Sequence, residues 1–267
     1  MRFSISNIAW QRPDDGQMYE FLSRQEAYGV EIAPTRLFSD PYNKLDSAGM
    51  YAFTLRDMYG LEIPSMQSIW YGIDKSIFGT DADRAFLLDY TKKAADFAAA
   101  MEIQNMVFGC PRNRSIPRDI DRKQAQKTAA DFFRAAGLYA DKAGTRLALE
   151  ANPPIYNTNF LNTTAETLKF ARSLDAPGVM VNLDMGTMIY NKEDPEIIRD
   201  YMDLINHIHI SMPHLAPIED REEYRRLARV LKETGYSRCV SVEMSDSGDI
   251  EKVKQAVLYV KALFGDI

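Results

Sequence analysis

The sequence predicts an α/β fold, a single (β/α)8 TIM barrel, from three observations. Short apolar runs alternate with longer segments of helical period from one end of the chain to the other. Eight such units, each of about 33 residues, predict parallel strands with helices outside them. The length of 267 residues is close to the usual size of one such barrel. Eight units favour closure of the sheet over an open sheet, with the active site at the C-terminal ends of the strands.

The predicted strands are the apolar runs, and each of them contains four to six residues. They comprise residues 3–6, 30–33, 63–67, 105–109, 146–150, 179–184, 205–210 and 239–243. Between them lie amphipathic stretches that predict helices, among them residues 81–101, 119–143, 164–174, 220–234 and 250–264. Strand and helix therefore alternate along the chain.

Start and stop signals support these helices. The segment 163–166 (TTAE) has the capping-box pattern, and Pro195 after Asp194 suits a first helical turn. Four glycines each follow a helical stretch and precede a strand, where a C-cap glycine is expected. These glycines are Gly29, Gly60, Gly144 and Gly235.

The composition is that of one ordinary globular domain. Hydrophobic residues make up 46% and charged residues 26% of the chain. No proline-rich or serine-rich linker, low-complexity repeat or charge run divides it. We therefore expect a single domain over residues 1–267.

The net charge and the cysteine content restrict the classes of binding partner and the cellular location that we expect. A net charge of −6 and a pI near 5.2 argue against nucleic acid and against anionic membrane surfaces. Residues 1–10 are too short and polar for a signal peptide, and no apolar run approaches the ~20 residues that span a bilayer. Cys110 and Cys239 lack CxxC spacing, which predicts a reducing, cytoplasmic location. Whether copies of the chain form a homo-oligomer is left open.

Four successive predicted strands each have a residue that can bind a metal at or near their C-terminal end. These residues are Glu150, Asp184, His209 and Glu243. The C-terminal ends of barrel strands converge on one face, so these side chains are expected to meet there. Three carboxylates and one imidazole suit Mn²⁺, Mg²⁺ or Co²⁺ and tolerate Zn²⁺. A divalent ion would also offset the repulsion among three carboxylates in one cavity.

The chain resembles the xylose isomerase-like TIM barrels, also called sugar phosphate isomerases and epimerases, over essentially its whole length. The resemblance is carried by residues 29–34 (GVEIAP), 108–114 (FGCPRNR), 149–153 (LEANP), 182–187 (NLDMGT) and 207–211 (HIHIS). In that family one metal is held by Glu, Asp, His and Glu from strands five to eight. The resemblance assigns these roles to Glu150, Asp184, His209 and Glu243 and makes Mn²⁺ the first choice of ion.

The resemblance also implies an activity, that of a metal-dependent isomerase or epimerase in carbohydrate metabolism. The expected partner is a small-molecule sugar, sugar phosphate or sugar-like substrate. In the related ketose epimerases the two ligand glutamates exchange protons with the substrate α to its carbonyl, through a metal-stabilised enediolate. The catalytic candidates are therefore Glu150 and Glu243.

Further residues near the expected mouth are candidates for substrate contact. Tryptophans can pack on sugar C–H groups, and arginines can clamp a phosphate or carboxylate, although a structural role is open for each. The substrate-binding candidates are Trp10, Glu31, Trp70, Arg112, Arg114, Asn152 and His214. His207 lies two residues before His209 on the same strand face but deeper, so we expect it to orient the ligands, as we do Ser211.

Departures from the related epimerases leave the substrate and the reaction open. Tyr156 and Asn157 stand where those epimerases have a further Glu, Thr187 lies where a His is usual, and Met212 replaces a Glu. A dehydratase of an inositol- or shikimate-type keto acid would use the same metal and carbanion. A non-catalytic carbohydrate-binding barrel is an alternative of another class. A related three-zinc DNA-repair endonuclease needs more than the three histidines present.

Overall fold

Eight parallel strands form one nearly closed barrel in the computed structural model, which describes residues 1–265. The strands are β1 (Arg2–Ser6), β2 (Gly29–Glu31), β3 (Ser65–Met66), β4 (Asn105–Phe108), β5 (Leu147–Glu150), β6 (Val179–Asp184), β7 (Ile205–Ser211) and β8 (Cys239–Glu243). They pair in the order β2-β1-β8-β7-β6-β5-β4-β3. The bridges from Gly29 to Glu62 and from Ile32 to Met66 link the two outer strands. The predicted (β/α)8 TIM barrel is confirmed.

Helices follow the strands and form the outer layer. They are α1 (Asp15–Arg24), α2 (Pro34–Leu37), α3 (Leu45–Tyr59), α4 (Asp81–Ala100), α5 (Arg122–Lys142), α6 (Thr164–Leu174), α7 (Met185–Asn191), α8 (Glu222–Glu233) and α9 (Ile250–Phe264). Short 3₁₀ helices such as Pro111–Arg114 and Pro195–Tyr201 lie in the loops. Within residues 1–265, no helix is both long and apolar enough to cross a bilayer.

The largest differences from the predicted strands concern β2 and β3. Strand β2 ends at Glu31 because Pro34, which has no amide hydrogen, begins α2 directly afterwards. Strand β3 contains only two residues, Ser65 and Met66. Pro64 precedes them and has no amide hydrogen with which to extend the hydrogen-bonded ladder.

The predicted helix ends are mostly confirmed. Thr163 accepts a hydrogen bond from the backbone amide of Glu166, but the Glu166 carboxylate binds the amide of Asn162 instead of completing the box. Gly60 caps α3 with a φ of 68°. The prediction for Gly29 was wrong, because this glycine lies inside β2, where a Cβ would stand 2.0 Å from the carbonyl oxygen of Glu62. Gly29 therefore permits a close backbone approach.

The strands divide the core into an apolar outer layer and a polar barrel interior. Along β7, Ile208 and Ile210 alternate with His207 and His209, and all four are buried. His209 contacts Glu31 from β2, although β1 and β8 lie between their strands in the sheet. A contact across two intervening strands must pass through the interior, so these polar side chains point inward.

Strand register places polar residues of β5 to β8 beside one another on neighbouring strands. Asp184 pairs with His209, Glu150 with Asn182, and Ser211 with Glu243. A register shift of one residue between Val181 and Asn182 allows the pairing of Asp184 with His209. Such a bulge changes the direction in which the following side chains point.

Candidate metal centre

Four side chains from β5 to β8 converge at the C-terminal end of the barrel. Glu150, Asp184 and Glu243 are the last residues of β5, β6 and β8, and His209 lies two residues before the end of β7. Each offers one ligand atom, and these atoms all lie within 4.8 Å of one another. The structure therefore brings together the four residues that the sequence proposed as ligands.

The distances around His209 suit a shared cation. Its Nδ1 atom lies 3.1 Å from Oε1 of Glu150 and 3.1 Å from Oε2 of Glu243. Yet this nitrogen, which is fully buried, makes no aligned hydrogen bond with either of them. Neighbouring ligands of an octahedral ion with bonds of ~2.1 Å are separated by about 3.0 Å. These residues thus fit a divalent cation in both donor chemistry and spacing.

The electrostatics of the cluster also favour a cation. Burial raises the pKa of Glu243 to about 7, and the neighbouring carboxylates of Glu150 and Asp184 add to this effect against the opposing charge of His209. Burial likewise raises the pKa of Asp184, and repulsion from Glu150 acts in the same direction. A divalent ion would stabilise the charged carboxylates and reverse these shifts.

Glu31 and His207 lie behind His209, on the side away from the mouth. Glu31 is fully buried, and its Oε2 lies 3.0 Å from Nε2 of His209 and 3.2 Å from Nε2 of His207. Its Oε1 accepts a hydrogen bond from Nε2 of Gln67. Burial alone would raise the pKa of Glu31, but the charge of His209, its hydrogen bond to Glu31 and the nearby His207 imidazole hold that pKa well below its usual value. The charged carboxylate accepts a hydrogen bond from Nε2–H of His209, so Nδ1 is the ring nitrogen that is available to a metal.

Two side-chain amides hold Glu150. Asn152 donates from Nδ2 to Oε2 at 3.1 Å, and Asn182 donates from Nδ2 to Oε1 at 2.7 Å. Arg114 in turn donates to Oδ1 of Asn152 at 2.8 Å. Gly109 flanks this carboxylate, since a Cβ there would lie 2.8 Å from Oε2 of Glu150. Both oxygens of Glu150 are therefore fixed in direction.

Asp184 is held by the start of α7. It is the N-cap of that helix, and its Oδ2 accepts from the backbone amide of Thr187 at 2.7 Å, with the Thr187 hydroxyl also 2.7 Å away. The Ser211 hydroxyl donates to Oδ1 of Asp184 and accepts from the amide of Gly186. Ser211 thus orients Asp184, the kind of role proposed for it from the sequence.

Sequence reasoning missed Asn182, Thr187 and Gln67 as members of this network. Asn182 lies two residues before Asp184 on β6, so the period of a strand already placed both on one face. Thr187 was noted only as a departure from related epimerases. Gln67 follows β3 and reaches Glu31 across the seam of the barrel, which no local pattern indicates.

The structure packs both tryptophans into the protein. Trp10 is 3% exposed and donates from Nε1 to Asp15, and Trp70 is 2% exposed and donates to the hydroxyl of Thr91. Trp70 also packs edge-on against Phe108, with ring centroids 4.8 Å apart. With so little of either side chain exposed, neither indole presents a ring face on which a sugar can pack.

The two candidate arginines differ in exposure. Arg112 is exposed and lines a cavity of about 1010 Å³ together with Tyr71, whereas Arg114 is fully buried. Burial lowers the pKa of Arg114 to about 10 despite the opposing charge of Glu150. A joint clamp by both guanidinium groups on one phosphate does not fit this difference in exposure.

His214 and Tyr156 lie together at the mouth. His214 is exposed, and its backbone amide donates to the Tyr156 hydroxyl at 2.8 Å. Their ring centroids are 6.1 Å apart. Burial raises the pKa of Tyr156 to about 12, and the carboxylates of Asp184 and Glu243 contribute to this shift. Tyr156 therefore keeps its proton at neutral pH.

Solved structures with the same architecture include two epimerases and a probable dehydratase. The E. coli 3-keto-D-glucoside 4-epimerase matches with a TM-score of 0.78 and 17% identity, over 98% of this chain and 99% of that chain. A D-psicose 3-epimerase gives 0.78 and 17%, over 99% and 100%. The probable 3-DHS dehydratase of Bacillus anthracis gives 0.73 and 15%, over 98% and 99%. At these identities the likeness shows the fold alone.

Sequence comparison gives the family. No curated protein sequence matches the chain significantly. The family model described as xylose isomerase-like TIM barrel matches residues 11–263, almost the whole chain. The chain therefore belongs to the xylose isomerase-like TIM barrel family.

Proposed function

We propose that this protein is a divalent-metal-dependent isomerase or epimerase of a small sugar or sugar phosphate. The observation that carries the proposal is the placement of Glu150 and Glu243, each 3.1 Å from Nδ1 of His209, at the C-terminal end of the barrel. Two carboxylates beside one buried cation site can move a proton α to a carbonyl. Two of the solved structures with this fold are sugar epimerases.

The proposed ligands of the ion are Glu150, Asp184, His209 and Glu243, and Mn²⁺ is the first choice. Hard carboxylate oxygens with one imidazole also suit Mg²⁺ or Co²⁺, and Zn²⁺ is tolerated. When bound, the ion supplies Lewis acidity that polarises the substrate carbonyl and acidifies the adjacent C–H. Glu31 holds the imidazole of His209 from behind, so that its Nδ1 faces the ion.

Glu150 and Glu243 are proposed to exchange the proton. One carboxylate removes it from the carbon α to the carbonyl, and the other returns a proton. Return to the opposite face of the same carbon gives an epimer, and return to the neighbouring carbon gives an aldose–ketose isomer. The Asn152 and Asn182 amides keep Glu150 in a fixed direction for this transfer.

Solvent-exchange experiments test this proposal. Purified protein with Mn²⁺ is incubated in D₂O with a panel of ketoses, their phosphates, and inositol- or shikimate-type keto acids. Deuterium at the carbon α to the carbonyl, with no other change in molecular formula, is the expected result. The Glu243→Gln variant serves as the control for exchange outside the site. No exchange with any substrate of the panel would contradict the proposal and favour a non-catalytic carbohydrate-binding barrel.

A dehydratase is the second candidate, because Tyr156 offers a proton donor at the mouth. A lyase must protonate the departing hydroxyl group, and a phenol whose pKa is about 12 carries its proton at neutral pH. One of the solved structures with this fold is a probable dehydratase. In the same experiment a dehydratase gives a product lighter by one water that absorbs in the ultraviolet. Replacement of Tyr156 by Phe would then abolish that product.

A further inference from the structure

Arg114 is a fully buried cation whose hydrogen-bonding groups are only partly used. It ends the 3₁₀ helix Pro111–Arg114 that follows β4, and none of its surface is exposed. Among the described residues 1–265, its Nε and Nη1 groups have no hydrogen-bond partner, and only Nη2 donates, to Asn152. A buried guanidinium carries a large desolvation cost, which its surroundings must offset. The negative neighbour that opposes the lowering of its pKa most strongly is Glu150.

The contact between Arg114 and Asn152 fixes which way the Asn152 amide points. A guanidinium has donors only, so it can bind the amide oxygen but not the amide nitrogen. With Oδ1 bound to Arg114 at 2.8 Å, the Asn152 nitrogen faces Oε2 of Glu150 at 3.1 Å. The reversed amide would place its NH₂ against a guanidinium and its oxygen against a carboxylate. Both of those contacts are repulsive.

The backbone of Asn152 is held independently of Arg114. Its amide donates to the carbonyl of Leu161 at 3.0 Å, and its carbonyl accepts from Nδ2 of Asn162 at 2.8 Å. The remaining freedom of Asn152 is therefore rotation of its side chain. Because Arg114 binds Oδ1 of Asn152, it prevents this rotation. The Nδ2 group of Asn152 then stays directed at the Glu150 carboxylate.

We infer that Arg114 is a positioning residue, which acts through the Asn152 amide to hold the Glu150 carboxylate towards the metal centre. The inference rests on the proposed function to the extent that Glu150 is a proposed ligand and proton carrier. It assigns Arg114 a different task from the phosphate clamp expected from the sequence. Arg112, two residues earlier and exposed, is left as the arginine that a substrate can reach.

Metal affinity tests this inference without a substrate. Mn²⁺ binding is measured by calorimetry for the wild type, Arg114→Gln, Asn152→Ala and the double variant. We expect each single variant to weaken binding roughly 10- to 100-fold, as losses of contacts behind a ligand commonly do. The double variant should bind no more weakly than Asn152→Ala, because Arg114 acts through Asn152. Arg114→Lys should recover part of the affinity, since an ammonium group is also a donor only.

The matched control is Arg118→Gln, an exposed arginine four residues further along the chain, which should leave Mn²⁺ affinity unchanged. Melting temperatures of the metal-free variants show whether each of them folds. If Arg114→Gln does not fold, Arg114→Lys replaces it in the same cycle. The expected loss is then smaller, and the expected coupling to Asn152 is the same.

Three results separate the inference from the proposed function. Wild-type protein that does not bind Mn²⁺ would overturn both. Wild-type binding with unchanged affinity in the Arg114 variant would overturn the inference alone. Equal losses from the Arg114 change with and without Asn152 would do the same, because the charge would then act directly on the cluster.

Discussion

The Oε2 atom of Glu31 lies 3.0 Å from Nε2 of His209, across the interior of the barrel. The two residues are 178 positions apart in the chain, and both are fully buried. The opposite nitrogen of the same imidazole faces Glu150 and Glu243. One ring therefore connects a carboxylate behind the site with the carboxylates that line it, which sets its tautomer.

Glu31→Ala should weaken Mn²⁺ binding roughly 10- to 100-fold, because His209 loses the acceptor that fixes its tautomer and direction. Glu31→Gln should have a smaller effect, since an amide oxygen can still accept from Nε2. Titration calorimetry on the metal-free protein measures both. Glu20→Gln, at an exposed glutamate of α1, is the control. Wild-type affinity in Glu31→Ala would show that the ring is held by packing alone.

Mn²⁺ should stabilise the folded protein, and a chelator should reverse the effect. A ligand that binds only the native state adds about 2.7 kcal/mol to the free energy of unfolding at a free concentration of 100 times its Kd. Differential scanning calorimetry with and without Mn²⁺ measures the change. Asp184→Asn should respond much less, because a charged ligand is lost. The same melting temperature with and without the ion would argue against a metal site.

Glu150→Gln and Glu243→Gln should each lower kcat by about 10²- to 10⁴-fold, the usual contribution of one general acid or base. An amide retains an oxygen that can bind the ion, so metal content must be measured in the same samples. Steady-state kinetics on the substrate found in the D₂O panel gives kcat. Full turnover in either variant at unchanged metal content would remove that glutamate from the proton transfer.

Gly29→Ala should destabilise the fold by about 1–3 kcal/mol, the common cost of overpacking. The added Cβ would meet the carbonyl oxygen of Glu62 at 2.0 Å, and backbone on both sides must move. At Gly16, within α1, an added Cβ would meet no atom within 4 Å in residues 1–265 beyond its chain neighbours and its own helix backbone, so Gly16→Ala should stabilise by about 0.5–1 kcal/mol. Urea unfolding of both variants gives the comparison. Equal changes in the free energy of unfolding for the two variants would show that the backbone around Gly29 can move to accept a Cβ at no cost.

Local sequence patterns predicted most of the fold. Strands β6 and β8 and helices α6 and α9 have the bounds expected from apolar period and capping residues. Strand β3 was predicted too long because its apolar pattern extends through Pro64, whereas hydrogen bonding across the barrel decides where pairing stops. The family resemblance is confirmed by the match over residues 11–263.

The four clustered side chains were also predictable, because each lies at or near the C-terminal end of a strand and parallel strand ends converge. The residues behind them were harder to assign. Glu31 and Arg114 were expected to contact substrate, but the structure buries both behind partners that are distant in sequence. Such contacts depend on the relative positions of strands across the barrel, and no period within one strand encodes them.

The short pairing between β2 and β3 has a consequence for the motion of the barrel. In the part of the chain that the structure describes, this seam has two isolated bridges, and it lies opposite the long ladders of β5 to β8. Thermal opening of a barrel begins where fewest contacts must break, so amide hydrogens at Ile32 and Gln67 should exchange with solvent sooner than those of β7. The seam also carries Glu31 and Gln67, which support His209. Opening of this seam would therefore release the contacts of Glu31 and Gln67 that support the imidazole of His209, while β5 to β8 stay paired.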